Sequence, residues 1–178
     1  MNPPASSGPS PDISALCGSL ADALRQRQWM LATAESCTGG MIAAACTDLA
    51  GSSNWFERGF VTYSNEAKTE LLGVDAALIE AHGAVSEEVA RAMAQGALAC
   101  SRAQVTVAVT GVAGPGGGSV DKPVGTVWFG WSVDGQTRTE QRCFAGDRAA
   151  VRAATVQHAL QTLLSLLKTS RPAPPMIS

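Results

Sequence analysis

Runs of Lys and Arg are missing from this chain, and with them the usual means of holding a polyanion. Its 13 basic residues stand against 15 acidic ones, for a formal net charge of −2, and nowhere do they cluster. Nucleic-acid binding rests largely on phosphate neutralisation, so no nucleic-acid partner is expected. No apolar stretch reaches about 18 residues, the length a membrane-spanning helix needs, so no membrane partner is expected either. The opening MNPPASSGPSPD lacks a basic stretch followed by an apolar one, and so does not read as a secretory signal. None of the five cysteines (Cys17, Cys37, Cys46, Cys100, Cys143) forms a C-x-x-C pair, and neither a zinc site nor a disulfide framework is indicated. Odd, scattered thiols suit a reducing compartment, and the protein is expected in the cytoplasm. Walker A, G-x-G-x-x-G and G-x-S-x-G patterns are all absent. Ser165 to Lys168 matches S-x-x-K, but at the end of the last helix and without the S-D-N or K-T-G that should accompany it.

What is present is an ordinary globular composition, 46% apolar and 16% charged over 178 residues. That length suits one domain, burying roughly two-thirds of its unfolded surface. Residues 1–11 and 169–178 are Pro-rich and read as disordered tails around a domain spanning 12–168. Ile13, Leu16, Leu20 and Leu24 recur at helical spacing after Asp12, an N-cap candidate, and predict a helix to Arg27. The run 29–35 reads as a buried strand, and an Ala-rich helix is expected over 37–49, ending at Gly51. A strand over 56–64, a short helix over 67–72 and further helical turns over 75–81 follow. Ser86 starts a helix over 87–101, and the β-branched run 104–111 reads as a central strand. Beyond a Gly-rich loop, Asp134-Gly135 joins strands 124–133 and 136–144 as a hairpin. A closing helix runs from Asp147 to Lys168. This order predicts an α/β fold, a three-layer α/β/α sandwich with a mixed central sheet.

Three segments could carry chemistry: AESCTGG (34–40), YSNEAK (63–68) and TGVAGPGGG (110–118). The first lies where a buried strand turns towards a helix, at the carboxyl end where α/β sheets bind ligands. Ser36 there reads either as a helix N-cap or as a nucleophile with its own turn supplying oxyanion donors. Cys37 is a rival nucleophile, because a helix N-terminus lowers a thiol pKa, or else a small buried side chain. A serine nucleophile needs a base, and the two histidines, His82 and His158, lie near no Gly-rich segment in sequence. Lys68 is the remaining base, provided burial or nearby positive charge lowers its pKa from about 10.4; otherwise it is a solvated helix residue. Tyr63, the only tyrosine, could share the proton relay or simply pack its ring. The glycines of 110–118 allow a backbone nest for an anion, or a floppy surface loop, with Lys122 and Arg148 placed to add positive charge.

Together, AESCTGGMIAAACTDLAGSS, YSNEAKTELLGV, GAVSEEVARAMAQGA and TGVAGPGGGSVDKPVGTVWFG resemble the CinA C-terminal domain family, the nicotinamide-nucleotide amidases, across residues 14–167. The resemblance implies conversion of nicotinamide mononucleotide to nicotinic acid mononucleotide and ammonia, with no metal and no cofactor, by a homo-oligomer. It places Ser36 on the family's nucleophile and Tyr63 and Lys68 on its Tyr and Lys. The substrate is expected among Cys37, Thr38 and Gly39, then Thr110, Gly111, Gly114, Gly116 and Gly117, and Arg148 of FAGDR. The implied oxyanion donors are N–H groups at the start of the 37–49 helix. Many relatives carry this domain behind a larger N-terminal one, so the chain resembles the stand-alone deamidases. A nucleotide-sensing or partner-binding module without turnover remains the alternative from a different class.

Overall fold

The computed structural model describes residues 12–170. The expected tails lie outside the described residues, except that Thr169 and Ser170 complete the last helix. Asp12 caps α1 (Ile13–Arg27) by accepting the N–H of Ser14, and the stripe Leu16, Leu20, Leu24 is buried as its spacing requires. β1 (Leu31–Glu35) is buried throughout, and α2 (Met41–Thr47) follows it after a turn. A 3-10 turn over Ser52–Asn54 leads into β2 (Phe56–Val61). Ser64 then caps α3 (Asn65–Leu72), and its Oγ accepts the N–H of Ala67, so this helix starts two residues earlier than its apolar pattern suggests. α4 (Ala76–His82), α5 (Glu87–Ala99) and β3 (Val105–Gly111) come next. The hairpin β4 (Thr126–Val133) and β5 (Gln136–Cys143) turns at Asp134 and Gly135, both with positive φ, and α6 (Arg148–Thr169) closes the chain.

The sheet order is β2-β1-β3-β4-β5, with the first three strands parallel and the last two antiparallel. A mixed sheet with helices on both faces is therefore what forms. Its two faces differ in side-chain size. Towards α1, α2 and α6 point Leu31, Val105, Val107, Val109, Val127, Phe129 and Trp131, which pack with Leu20, Leu160, Leu163 and Leu167. Phe129 and Trp131 stack at 5.3 Å between centroids, and the Trp131 indole N–H donates to the Ala159 carbonyl at 3.0 Å. Towards α5 the same strands present Ala34, Ala108 and Gly130, so that helix lies close against the sheet. A Cβ on Gly130 would stand 2.5 Å from the Ala90 carbonyl oxygen.

The parallel strands bring their carboxyl ends to one place. Glu35 is level with Val61 of β2 and Val109 of β3, and the next N–H groups continue both ladders: Ser36 donates to Val109 and Thr62 to Glu35. Because side chains alternate across a strand, Glu35 points to the α2 face and Ser36 to the α3 face.

α3 is held against α5 at Gly96, where any side chain would collide with the Leu72 carbonyl. Replacing Gly96 by Ala is expected to cost about 1–3 kcal/mol through overpacking, visible as a lower urea midpoint with an unchanged m-value.

Candidate active site

Ser36 follows the last residue of β1, and its Oγ lies 3.1 Å from the Lys68 Nζ. Both side chains are buried, Lys68 to 1% exposure. α3 starts directly after the Ser64 cap, which sets Lys68 one turn in and aims it back between the ends of β1 and β2. The amine there meets the Thr62 carbonyl at 2.9 Å and those of Tyr63 and Ser64 at 3.4 Å. No carboxylate pairs with it among the described residues. Burial therefore holds the Lys68 pKa below the usual lysine range, against smaller upward pulls from Cys37 and Glu66. A neutral amine keeps two N–H donors for carbonyls and one lone pair for the serine hydroxyl, so the geometry suits proton abstraction from Ser36.

The helix expected over 37–49 begins only at Met41, and Ser36 is not its cap. Gly39 (φ +60°) and Gly40 (φ +102°) adopt left-handed backbone, which no right-handed helix contains. Nor are the first N–H groups of α2 open to a ligand. Glu35, 1% exposed, accepts from the N–H of Ile42 at 2.8 Å and of Ala43 at 2.9 Å, and from the Thr38 hydroxyl at 2.6 Å. The protein's own carboxylate thus satisfies the helix end. Within the turn, Gly39 donates to the Ser36 carbonyl and Met41 to that of Thr38. The N–H of Thr38 meets no protein acceptor among the described residues and that of Cys37 meets only its own thiol, so both remain as donors next to Ser36.

A cavity of about 280 Å³ opens at this point. Ser36, Cys37 and Lys68 form its floor, and Tyr63, Thr110, Gly111 and Arg148 line it as the motifs suggest. Thr110 donates its hydroxyl to the Ala84 carbonyl at 2.8 Å, tying β3 to the α4–α5 loop, which adds Ala84 and Val85 to the wall. Arg148, at the start of α6, donates to the Gly114 carbonyl at 2.9 Å and to the Tyr63 hydroxyl at 3.4 Å. Tyr63 therefore faces Lys68 with its carbonyl and Arg148 with its phenol. Gly116 and Gly117 are exposed and do not line the cavity, nor do Gly39 and Gly114, and the Thr38 side chain turns away from it to Glu35. The lining carries two basic side chains, Lys68 and Arg148, and no carboxylate.

The rival groups do not share the Ser36–Lys68 arrangement. Burial pushes the Cys37 thiol up to about 11, so it stays protonated at neutral pH. His82 lies 3.3 Å from Glu88, and His158 lies 3.1 Å from Glu140 among Phe129, Trp131 and Phe144. Neither lines the cavity. Among the described residues no group of three or more His, Cys, Asp or Glu could hold a metal ion. Sequence reasoning missed Glu35, Arg152, Asn65, Ala84, Val85 and Ala113. A signal existed for two of them: Glu35 is an acid ending an apolar strand, and Arg152 follows Arg148 by four residues on one helix face.

If the thiol is a bystander, Cys37→Ala keeps turnover within about threefold of wild type, while a hydrolytic reaction carried by the thiol would lose about a thousandfold or more.

Known proteins of similar sequence bear on this geometry. Two proteins named nicotinamide-nucleotide amidohydrolase PncC resemble the chain closely. That of Enterobacter agglomerans is 57% identical over 143 residues, 80% of this chain and 87% of its own length. That of Escherichia coli K12 is 52% identical over 153 residues, 85% of this chain and 93% of its own. The crystal structure of the competence damage-inducible protein A from Klebsiella pneumoniae subsp. pneumoniae MGH 78578 superposes with a TM-score of 0.87 at 43% identity, over 90% of this chain and all of that one. The family model described as the CinA C-terminal domain matches residues 14–167, which is the whole helix-covered sheet but the first residue of α1 and the last two of α6, and the chain belongs to that family.

Proposed function

We propose that the chain is a nicotinamide-nucleotide amidohydrolase that turns nicotinamide mononucleotide and water into nicotinic acid mononucleotide and ammonia. The observation that carries this reading is the 3.1 Å contact between Ser36 Oγ and a buried lysine amine with no carboxylate partner. The identity to two relatives named for that activity supports the substrate.

Neutral Lys68 takes the Ser36 hydroxyl proton as Oγ attacks the carboxamide carbon. The N–H groups of Cys37 and Thr38 hold the oxyanion. The Lys68 ammonium then protonates the departing nitrogen, the C–N bond breaks, and ammonia leaves an ester on Ser36. Water, deprotonated by the same amine, attacks this ester and returns the proton to Ser36 Oγ, releasing the carboxylic acid, which ionises. The substrate's cationic pyridinium favours the neutral amine by like-charge repulsion. Tyr63 serves this relay through its carbonyl on Lys68, while its phenol orients Arg148. Arg148 is the better phosphate anchor, since Gly116 and Gly117 stand outside the cavity lining and Gly114 already gives its carbonyl to that arginine. The reaction as written needs no metal or organic cofactor. The five unpaired thiols fit a cytoplasmic enzyme, and the exposed Tyr63 and Val61 beside the cavity fit a homo-oligomer. No helix among the described residues is long and apolar enough to cross a membrane.

Ammonia release from nicotinamide mononucleotide tests the reading. Wild type is expected to be active, and Ser36→Ala at least about a thousandfold slower in kcat. Binding of the nucleotide without ammonia release by wild type would leave a nucleotide-binding module instead. The basic form of Lys68 does the work, so kcat/KM should rise with pH as this amine loses its proton, along a limb centred below the ordinary lysine value of about 10.4. Lys68→Arg cannot deprotonate in this range and should be inactive at every pH, with nucleotide binding as the control for folding.

A further inference from the structure

The turn that carries Ser36 is gripped from both sides, and only one grip belongs to its own strand. Glu35 holds the inner side through Thr38, Ile42 and Ala43. The outer side is held from α6, more than a hundred residues on: Arg152 donates from Nε to the Cys37 carbonyl and from Nη2 to the Thr38 carbonyl, both at 3.1 Å. Arg152 is half-buried and enters no ion pair among the described residues, so its guanidinium is committed to these two carbonyls and its charge is uncompensated. In a trans peptide the N–H points opposite to the carbonyl it shares a plane with. Fixing the Cys37 carbonyl therefore fixes the direction of the Thr38 N–H, a donor next to Ser36 that meets no protein acceptor among the described residues.

We propose that Arg152 is a positioning residue for catalysis: it locks the 37–39 peptide planes so that the Thr38 N–H, an oxyanion donor, points away from α6, and its unpaired charge makes that peptide a more strongly polarised donor. This rests on the amidohydrolase reading above. Arg152 does not line the cavity, so it acts through the turn and not on the nucleotide. The transition state depends on this donor more than the bound substrate does, so its misalignment weakens kcat and leaves KM almost alone.

The experiment is steady-state ammonia release by wild type, Arg152→Ala and Arg152→Lys, with Tm measured for each and guanidinium ion added to each. Lysine keeps the charge but loses the planar fork that bridges two carbonyls. Expected are a kcat about a hundredfold lower in Arg152→Ala, KM within about threefold of wild type, and partial recovery of kcat by guanidinium in Arg152→Ala alone. Arg152→Lys should fall between the two. A kcat near wild type in folded Arg152→Ala, a loss carried mainly by KM, no rescue by guanidinium, or failure of both variants to fold would each overturn the proposal. Inactive wild type, by contrast, would strike at the amidohydrolase reading and not at Arg152 as such.

Discussion

A buried lysine amine without a counter-charge is the constraint around which this site is arranged. An ammonium so placed loses hydration that no carboxylate replaces, and three carbonyls with a hydroxyl compensate only in part. The imbalance lowers the pKa of Lys68 and favours the amine. It also dictates the neighbours. The carbonyls come from 62–64, the stretch that leaves β2 and caps α3, so the segment delivering the lysine also partners it. Glu35, the nearest acid in sequence to Ser36, is turned to the opposite sheet face and spent on α2. Had it faced Lys68, the pair would hold the lysine charged.

The two faces of the sheet divide the labour. The face under α1, α2 and α6 holds the large apolar side chains, including Leu20, Phe129, Trp131 and Leu163, and supplies most of the buried apolar area. The face under α5 carries small residues, Ala34, Ala108 and Gly130 with Thr106 and Thr110, which brings helices near enough for α3 to set Lys68 against the end of β1. α6 links the two roles. Its apolar stripe anchors it to the large face, and its first turns present Arg148 to the cavity mouth and Arg152 to the back of the nucleophile turn. A mixed sheet makes this possible because three parallel strands end together at the site, whereas the β4–β5 hairpin only extends the core sideways.

Much of the fold was legible from local pattern. Helical stripes, the β-branched run of β3 and the Asp134-Gly135 turn each carry their own signal, and the elements fall close to where those signals put them. The error at α2 has a local cause. Ala-rich composition promises helix from Cys37 onwards, but the Gly39-Gly40 pair adopts a backbone that helix cannot, and the start slips to Met41. Of the residues the motifs single out, Ser36, Lys68, Thr110 and Arg148 line one cavity, while Gly116 and Gly117 stand outside it, because a glycine run shows that a loop can curl but not which way it faces.

Residue types and their spacing, being local properties, were enough by themselves to establish an α/β chain with Ser36 at a strand end, and they left Ser36 open between cap and nucleophile and Lys68 between base and solvated helix residue. Tertiary structure alone decided the rest, because contacts between distant segments leave no periodic trace in a sequence. That Lys68 is buried and reaches Ser36, that Cys37 is buried, which raises its thiol pKa, and that Glu35 and Arg152 clamp one turn from opposite faces are matters of packing. Each joins groups from elements that only the closed sheet brings together, and burial, which sets their protonation, exists only once it has closed.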